Sequence, residues 1–91
     1  MVGILDEWRE NRMKWTYIKS FVNDRYAQYL YTCDYGEIDG IIQYDKQNNI
    51  TSILKPCSTY PDNSIMRRAA TSHFYEVISK DYPDKVVVCC G

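Results

Sequence analysis

The segment between Tyr26 and Asp45 narrows the possible folds more than any other part of the chain. Two runs, YAQYLYTC and IDGIIQYD, flank Tyr35-Gly36. With Tyr35 and Gly36 as a two-residue loop, Cys33 pairs with Ile38, Tyr31 with Gly40, Tyr29 with Ile42 and Ala27 with Tyr44, all on one face. The opposite face then carries Thr32–Asp39, Leu30–Ile41, Gln28–Gln43 and Tyr26–Asp45, which is largely polar. One register that sorts two strands this cleanly defines an antiparallel hairpin with one buried side. Gly40 opposite Tyr31 lets the aromatic ring lie over bare backbone.

The rest of the chain is read outward from that hairpin. Gln47-Asn48-Asn49 is a turn, because Asn tolerates the left-handed conformation of short loops. A three-residue loop there puts Ile50 and Leu54 on the buried face with Ile42 and Tyr44, and Pro56 ends the strand. The run PCSTYPDNS that follows is loop. From Ser64 to Lys80, the residues Ile65, Met66, Ala69, Ala70, His73, Phe74, Val77 and Ile78 make one helical stripe. Asp62 or Asn63 caps the start of this helix and Pro83 stops it. Val86 to Cys90 is a continuous apolar run, which predicts a buried strand over 85–90, inside the sheet rather than at its edge. It is expected to lie parallel to the 50–55 strand or to insert elsewhere, after a crossover through the helix.

Toward the N-terminus, Ile4, Leu5 and Trp8 recur at helical spacing behind early acids, predicting a short helix over 3–12. The stretch WTYIKSF allows either continuation of that helix or a strand, and its aromatic and β-branched content favours the strand. The expected architecture is a single α+β domain over 1–91. A four- or five-stranded, mostly antiparallel meander sheet is packed by one long helix. At 91 residues there is room for one core and no second domain.

Charge and cysteine usage bear on function. Formal net charge is −1, yet residues 26–45 carry Asp34, Glu37, Asp39 and Asp45 without a single base. Arg9, Arg12, Lys14, Lys19 and Arg25 precede that block, and Arg67 and Arg68 follow it. No apolar run reaches the ~18 residues of a membrane span, and the opening MVGILDEWRE is too acidic for a secretory leader. A cytosolic setting is therefore expected. Cys33, Cys57, Cys89 and Cys90 then read as reduced thiols.

Catalytic chemistry finds no pattern to rest on. His73 is the lone histidine and lies on the apolar helical stripe, where a packed role is simplest. A Cys–His couple with Cys89 or Cys90 has no activating neighbours, so a small Cys/His enzyme ranks third. The spacing contains no zinc signature, no G-x-S-x-G elbow and no phosphate-cradling loop, so no metal, cofactor or small-molecule ligand is expected. Weak binding of single-stranded nucleic acid through Tyr29, Tyr31 and Tyr44 is the second reading, opposed by the acidic block on the same hairpin. The first is a non-catalytic protein-interaction module, with a homodimer as one form. Nine tyrosines and two tryptophans supply contact-prone residues. The expected contact surface is Tyr26, Leu30 and Ile41, with Arg67 and Arg68 as rim charges.

Overall fold

The computed structural model describes residues 13–90, with only the backbone of Cys90, so the helix expected over 3–12 lies outside the described residues. Five strands, β1 (Met13–Val22), β2 (Tyr26–Cys33), β3 (Gly40–Asp45), β4 (Ile50–Lys55) and β5 (Lys85–Cys90), form one sheet in the order β4-β3-β2-β1-β5. Every pairing is antiparallel. Helices α1 (Ser64–His73) and α2 (Tyr75–Ser79) connect β4 to β5. The architecture is thus α+β, a sheet with one helical layer.

The 14–21 stretch is strand, in keeping with its aromatic and β-branched residues. Between Lys19 and Phe21 the register with β2 shifts at Ser20. This bulge leaves Val22 opposite Ala27 on the core side and turns Phe21 outward beside Gln28.

The central hairpin has the register read from its sequence: Tyr31 faces Gly40, Tyr29 faces Ile42 and Ala27 faces Tyr44. Its loop is longer than two residues, running from Asp34 to Asp39, and Cys33 pairs with Trp15 of β1 instead of Ile38. Asp34 adopts a left-handed φ of 57° and binds back to β1, accepting from the Lys14 N–H and donating its own N–H to the Lys14 carbonyl. Those bonds peel the chain off the hairpin ladder. A Cβ on Gly40 would stand 2.5 Å from the Tyr31 ring, so the ring does cover bare backbone there.

The next turn corrects the sequence reading. Lys46 to Asn49 form a four-residue loop, with Asn49 at φ 56°, and β4 pairs Ile53 with Ile42 and Thr51 with Tyr44. The extra residue flips the alternation of the strand. Ile53 now packs on the core, while Ile50 and Leu54 are more than half exposed. Asp45 fixes this turn, its carboxylate accepting from the N–H groups of Gln47 and Asn48 and from the Asn48 amide.

The helical layer starts where Asn63, not Asp62, caps it by accepting from the Met66 N–H at 2.9 Å. The expected single helix is divided at Phe74, although the Phe74 N–H still donates to Ala70 and Ile78 to Phe74. Met66, Ala69, Ala70, Phe74, Val77 and Ile78 face the sheet, whereas Ile65 is 77% exposed and does not belong to the buried stripe. Phe74 stands edge-on to Tyr17 and Tyr29 at 5.3 and 5.4 Å between ring centroids. Such edge contacts add about 0.5–1.5 kcal/mol to the burial of each ring.

The last strand is also placed differently from expectation. β5 occupies an edge beside β1, with Val87 44% exposed and Cys89 exposed, and with Val86 the only buried residue among its described side chains. Its direction matches that of β4, from the opposite edge of the sheet. A continuous valine run signals burial on both faces only where both faces have a covering layer. Here β-branched residues also serve the strand conformation itself on an uncovered side.

Candidate functional site

Helices cover one face of the sheet only. Trp15, Tyr17, Ala27, Tyr29, Tyr31, Cys33, Ile42 and Val86 alternate onto the helix side and are buried there. Three tyrosines of that side also fasten the covering layer by their hydroxyls. Tyr17 donates to the Ala70 carbonyl at 2.7 Å, Tyr29 donates to the Pro83 carbonyl at 2.6 Å, and Tyr31 accepts from the Cys57 N–H at 3.2 Å. Burial is the main reason the Tyr29 hydroxyl is pushed up to about 12, with the nearby Asp84 carboxylate adding to it. Much of the tyrosine content is thereby structural: rings for the core, with a polar tip that satisfies helix and loop backbone.

The opposite face is the candidate site, and Tyr26, Leu30 and Ile41 lie on it together, each half-buried. Pairing sets Lys85, Ile18, Leu30, Ile41 and Lys55 in one row across all five strands. Its middle is aliphatic and each edge strand supplies a lysine. Phe21, Val87, Ile50 and Leu54 extend the apolar surface, each at least 40% exposed. Thr16 and Thr32 sit buried beside this row, Thr32 against Thr59 of the 56–63 loop, which reaches over that end of the face. Sheet alternation alone explains why these residues share a face.

Arg67 and Arg68 do not belong to that surface. Both are on α1, in the layer on the far side of the sheet. Arg67 is engaged with Asp62 by two hydrogen bonds, 2.6 and 2.8 Å, which holds the Asp62 carboxyl below its usual range. The charges that end the row on the open face are Lys55 and Lys85, with Lys14 and Asp45 elsewhere on the same face. Ile18, Lys85 and Val87 escaped the sequence reading because their placement depends on which strands neighbour β1, and Lys55 because it depends on the β3–β4 register. The alternation of Trp15, Tyr17 and Lys19 against Thr16 and Ile18 was the available signal.

Three of the four acidic residues of 26–45, Asp34, Asp39 and Asp45, are spent on turns and a clasp. Asp45 pairs with Arg25 at 3.5 Å, and the Asn48 amide is the first cause of its lowered carboxyl pKa. The Asp39 carboxyl is lowered too, first by the Ser58 hydroxyl and then by the Ser58 N–H, which donates to it at 2.9 Å. Asp34 accepts from the Tyr60 hydroxyl at 2.5 Å, which pushes that phenol up to about 12. Thr32 and Thr59 hydroxyls meet at 3.0 Å in the same region. The 34–39 loop and the 56–63 loop are thus bound together at one end of the sheet.

His73 stacks on Trp15 at 6.1 Å between rings, a packed position. Among the described residues no group of three His, Cys, Asp or Glu side chains could hold a metal ion, and Cys57 and Cys89 are free thiols. Among them, too, no helix is long and apolar enough to cross a membrane. Tyr29 and Tyr31 lie in the core, so neither ring is available for base stacking.

Geometry defines the class: a two-layer α+β fold whose sheet is covered by helices on one side. Comparison with known protein families, curated proteins and solved structures finds no match.

Proposed function

We propose that this domain is a non-catalytic, cytosolic protein-interaction module that works through the open sheet face, and that the partner is a second copy of the chain. The observation that carries the reading is the row Ile18–Leu30–Ile41, aliphatic at the centre and lysine-bounded at both ends. An apolar centre with a charged rim is the usual anatomy of a contact surface. Charge also restricts the geometry. Two copies stacked with their rows aligned would bring lysine against lysine, so the rows must cross, as they do in orthogonal sheet packing.

Light scattering over a range of concentrations tests this. The expected mass is that of two 10.8 kDa chains at high concentration, falling toward one on dilution. Ile41→Lys places a charge at the centre of the row and is expected to keep the protein at one mass throughout. A wild-type protein that stays at one chain at every concentration contradicts the self-association.

A further inference from the structure

On the helix side, away from the open face, a small pocket lies between the end of the sheet, the 56–63 loop and the first turn of α1. Trp15 and Tyr31 reach it from β1 and β2, Tyr60 and Asp62 from the loop, and Arg67 from α1. Its interior has room for about one water molecule, so an organic ring or a peptide unit is too large for it. The polar atoms of the wall therefore decide which single-atom ligand it takes.

Those atoms divide into donors on the sheet and acceptors on the loop. Trp15 is 1% exposed, and its indole Nε1 is buried without a hydrogen-bond partner among the described residues. An indole N–H can only donate. The Tyr31 hydroxyl accepts from the Cys57 N–H at 3.2 Å and keeps its own hydrogen for a second bond. On the loop, the Tyr60 hydroxyl gives its hydrogen to Asp34, while its oxygen keeps a site to accept. The two Asp62 oxygens each accept once from Arg67, and each keeps a further acceptor site. That ion pair also cancels the charges at the wall.

A halide would accept from Trp15 and Tyr31 but would bring nothing to donate to the Tyr60 and Asp62 oxygens. An ammonium or alkali cation would suit those oxygens and set the indole donor against a positive charge. Water takes both roles. We propose that this pocket binds one ordered water molecule, which accepts from the Trp15 indole N–H and donates to the 56–63 loop at Tyr60 or Asp62. The water joins the sheet to the loop beside the Tyr31–Cys57 bond and belongs to the core as the aromatic rings do. It sits on the far side of the sheet from the surface proposed for self-association and stands independently of it.

Crystals of the full-length protein, grown once in chloride and once in bromide, test this. The expected density is a single peak about 2.7–3.2 Å from Trp15 Nε1, with a second polar contact to Tyr60 or Asp62 and no anomalous signal in bromide. In solution, the Trp15 indole proton is identified as the indole resonance that survives in Trp8→Phe. It should show a cross-peak to water whose sign is that of a molecule tumbling with the protein. A Trp15 indole that donates to a protein atom, a site without density, or an anomalous bromide peak overturns the proposal. So does an indole proton that lacks the cross-peak to water.

Discussion

Ile41 and Ile42 are neighbours in β3, yet their environments have little in common. Ile42 is fully buried beneath the helices, whereas Ile41 is half-buried in the uncovered row between Leu30 and Lys55. The same contrast runs through the whole sheet. One face carries aromatic rings whose hydroxyls reach helix and loop backbone, a form of packing that satisfies polar atoms as well as apolar ones. The other carries aliphatic side chains, threonines and edge lysines; the 56–63 loop meets it at Thr32, through Thr59, and no helix among the described residues covers it. Composition does not separate the faces, since both hold Ile, Val and Tyr. The difference is in what those side chains are fastened to.

That contrast can be broken most severely at Phe74. Phe74→Ala removes the ring that meets Tyr17 and Tyr29, and a loss of about 3–5 kcal/mol in urea unfolding is expected. Ile41→Ala on the open face, measured as a monomer, should cost less than about 1.5 kcal/mol. Equal losses at the two positions would show that the open face is packed as a core. Gly40→Ala comes next: its methyl would press on the buried Tyr31 ring, and about 1–3 kcal/mol should be lost.

Alkali offers a third comparison. Burial raises the Tyr29 hydroxyl to about 12 from an unfolded value near 10. The folded chain therefore holds its proton more tightly than the unfolded one. The resulting stability is complete below pH 10 and is lost as pH climbs from there toward 12, with a total on the order of 2 kcal/mol. Unfolding followed across that interval should show the fall, and Tyr29→Phe should flatten it. The smallest effect is expected at Asp81, which takes a left-handed φ of 62° just after α2. Glycine adopts that conformation without strain, so Asp81→Gly should raise stability by up to about 1 kcal/mol.

How far these features could be read in advance depends on how locally each was encoded. The β2–β3 register was legible because Gly40 and Tyr31 fit each other and the alternation on both strands is strict. The capped helix start was legible because Asn63 lies just ahead of the apolar stripe. The β3–β4 register was not, since either a three- or a four-residue loop suits Gln47-Asn48-Asn49. Only the added residue decides whether Ile53 or Leu54 points inward. The edge position of β5 was hidden for a different reason: three valines look the same beneath one layer or between two. At the candidate site, Tyr26, Leu30 and Ile41 followed from the hairpin alone. Lys55 required the β3–β4 register, and Lys85 the order of strands across the sheet, a long-range property that no local pattern carries.

The central claim is that one face holds the fold together and the other joins it to a second chain. Urea unfolding at two widely separated protein concentrations tests both halves at once, because a partner that binds only folded protein raises the midpoint by mass action. The wild-type midpoint should rise with concentration. Ile41→Lys should unfold cooperatively with a midpoint that is independent of concentration. Ile42→Lys, one residue away, should lose more than about 4 kcal/mol through its buried charge. A wild-type midpoint that ignores concentration, together with an Ile41→Lys protein that unfolds identically to it, would contradict the account.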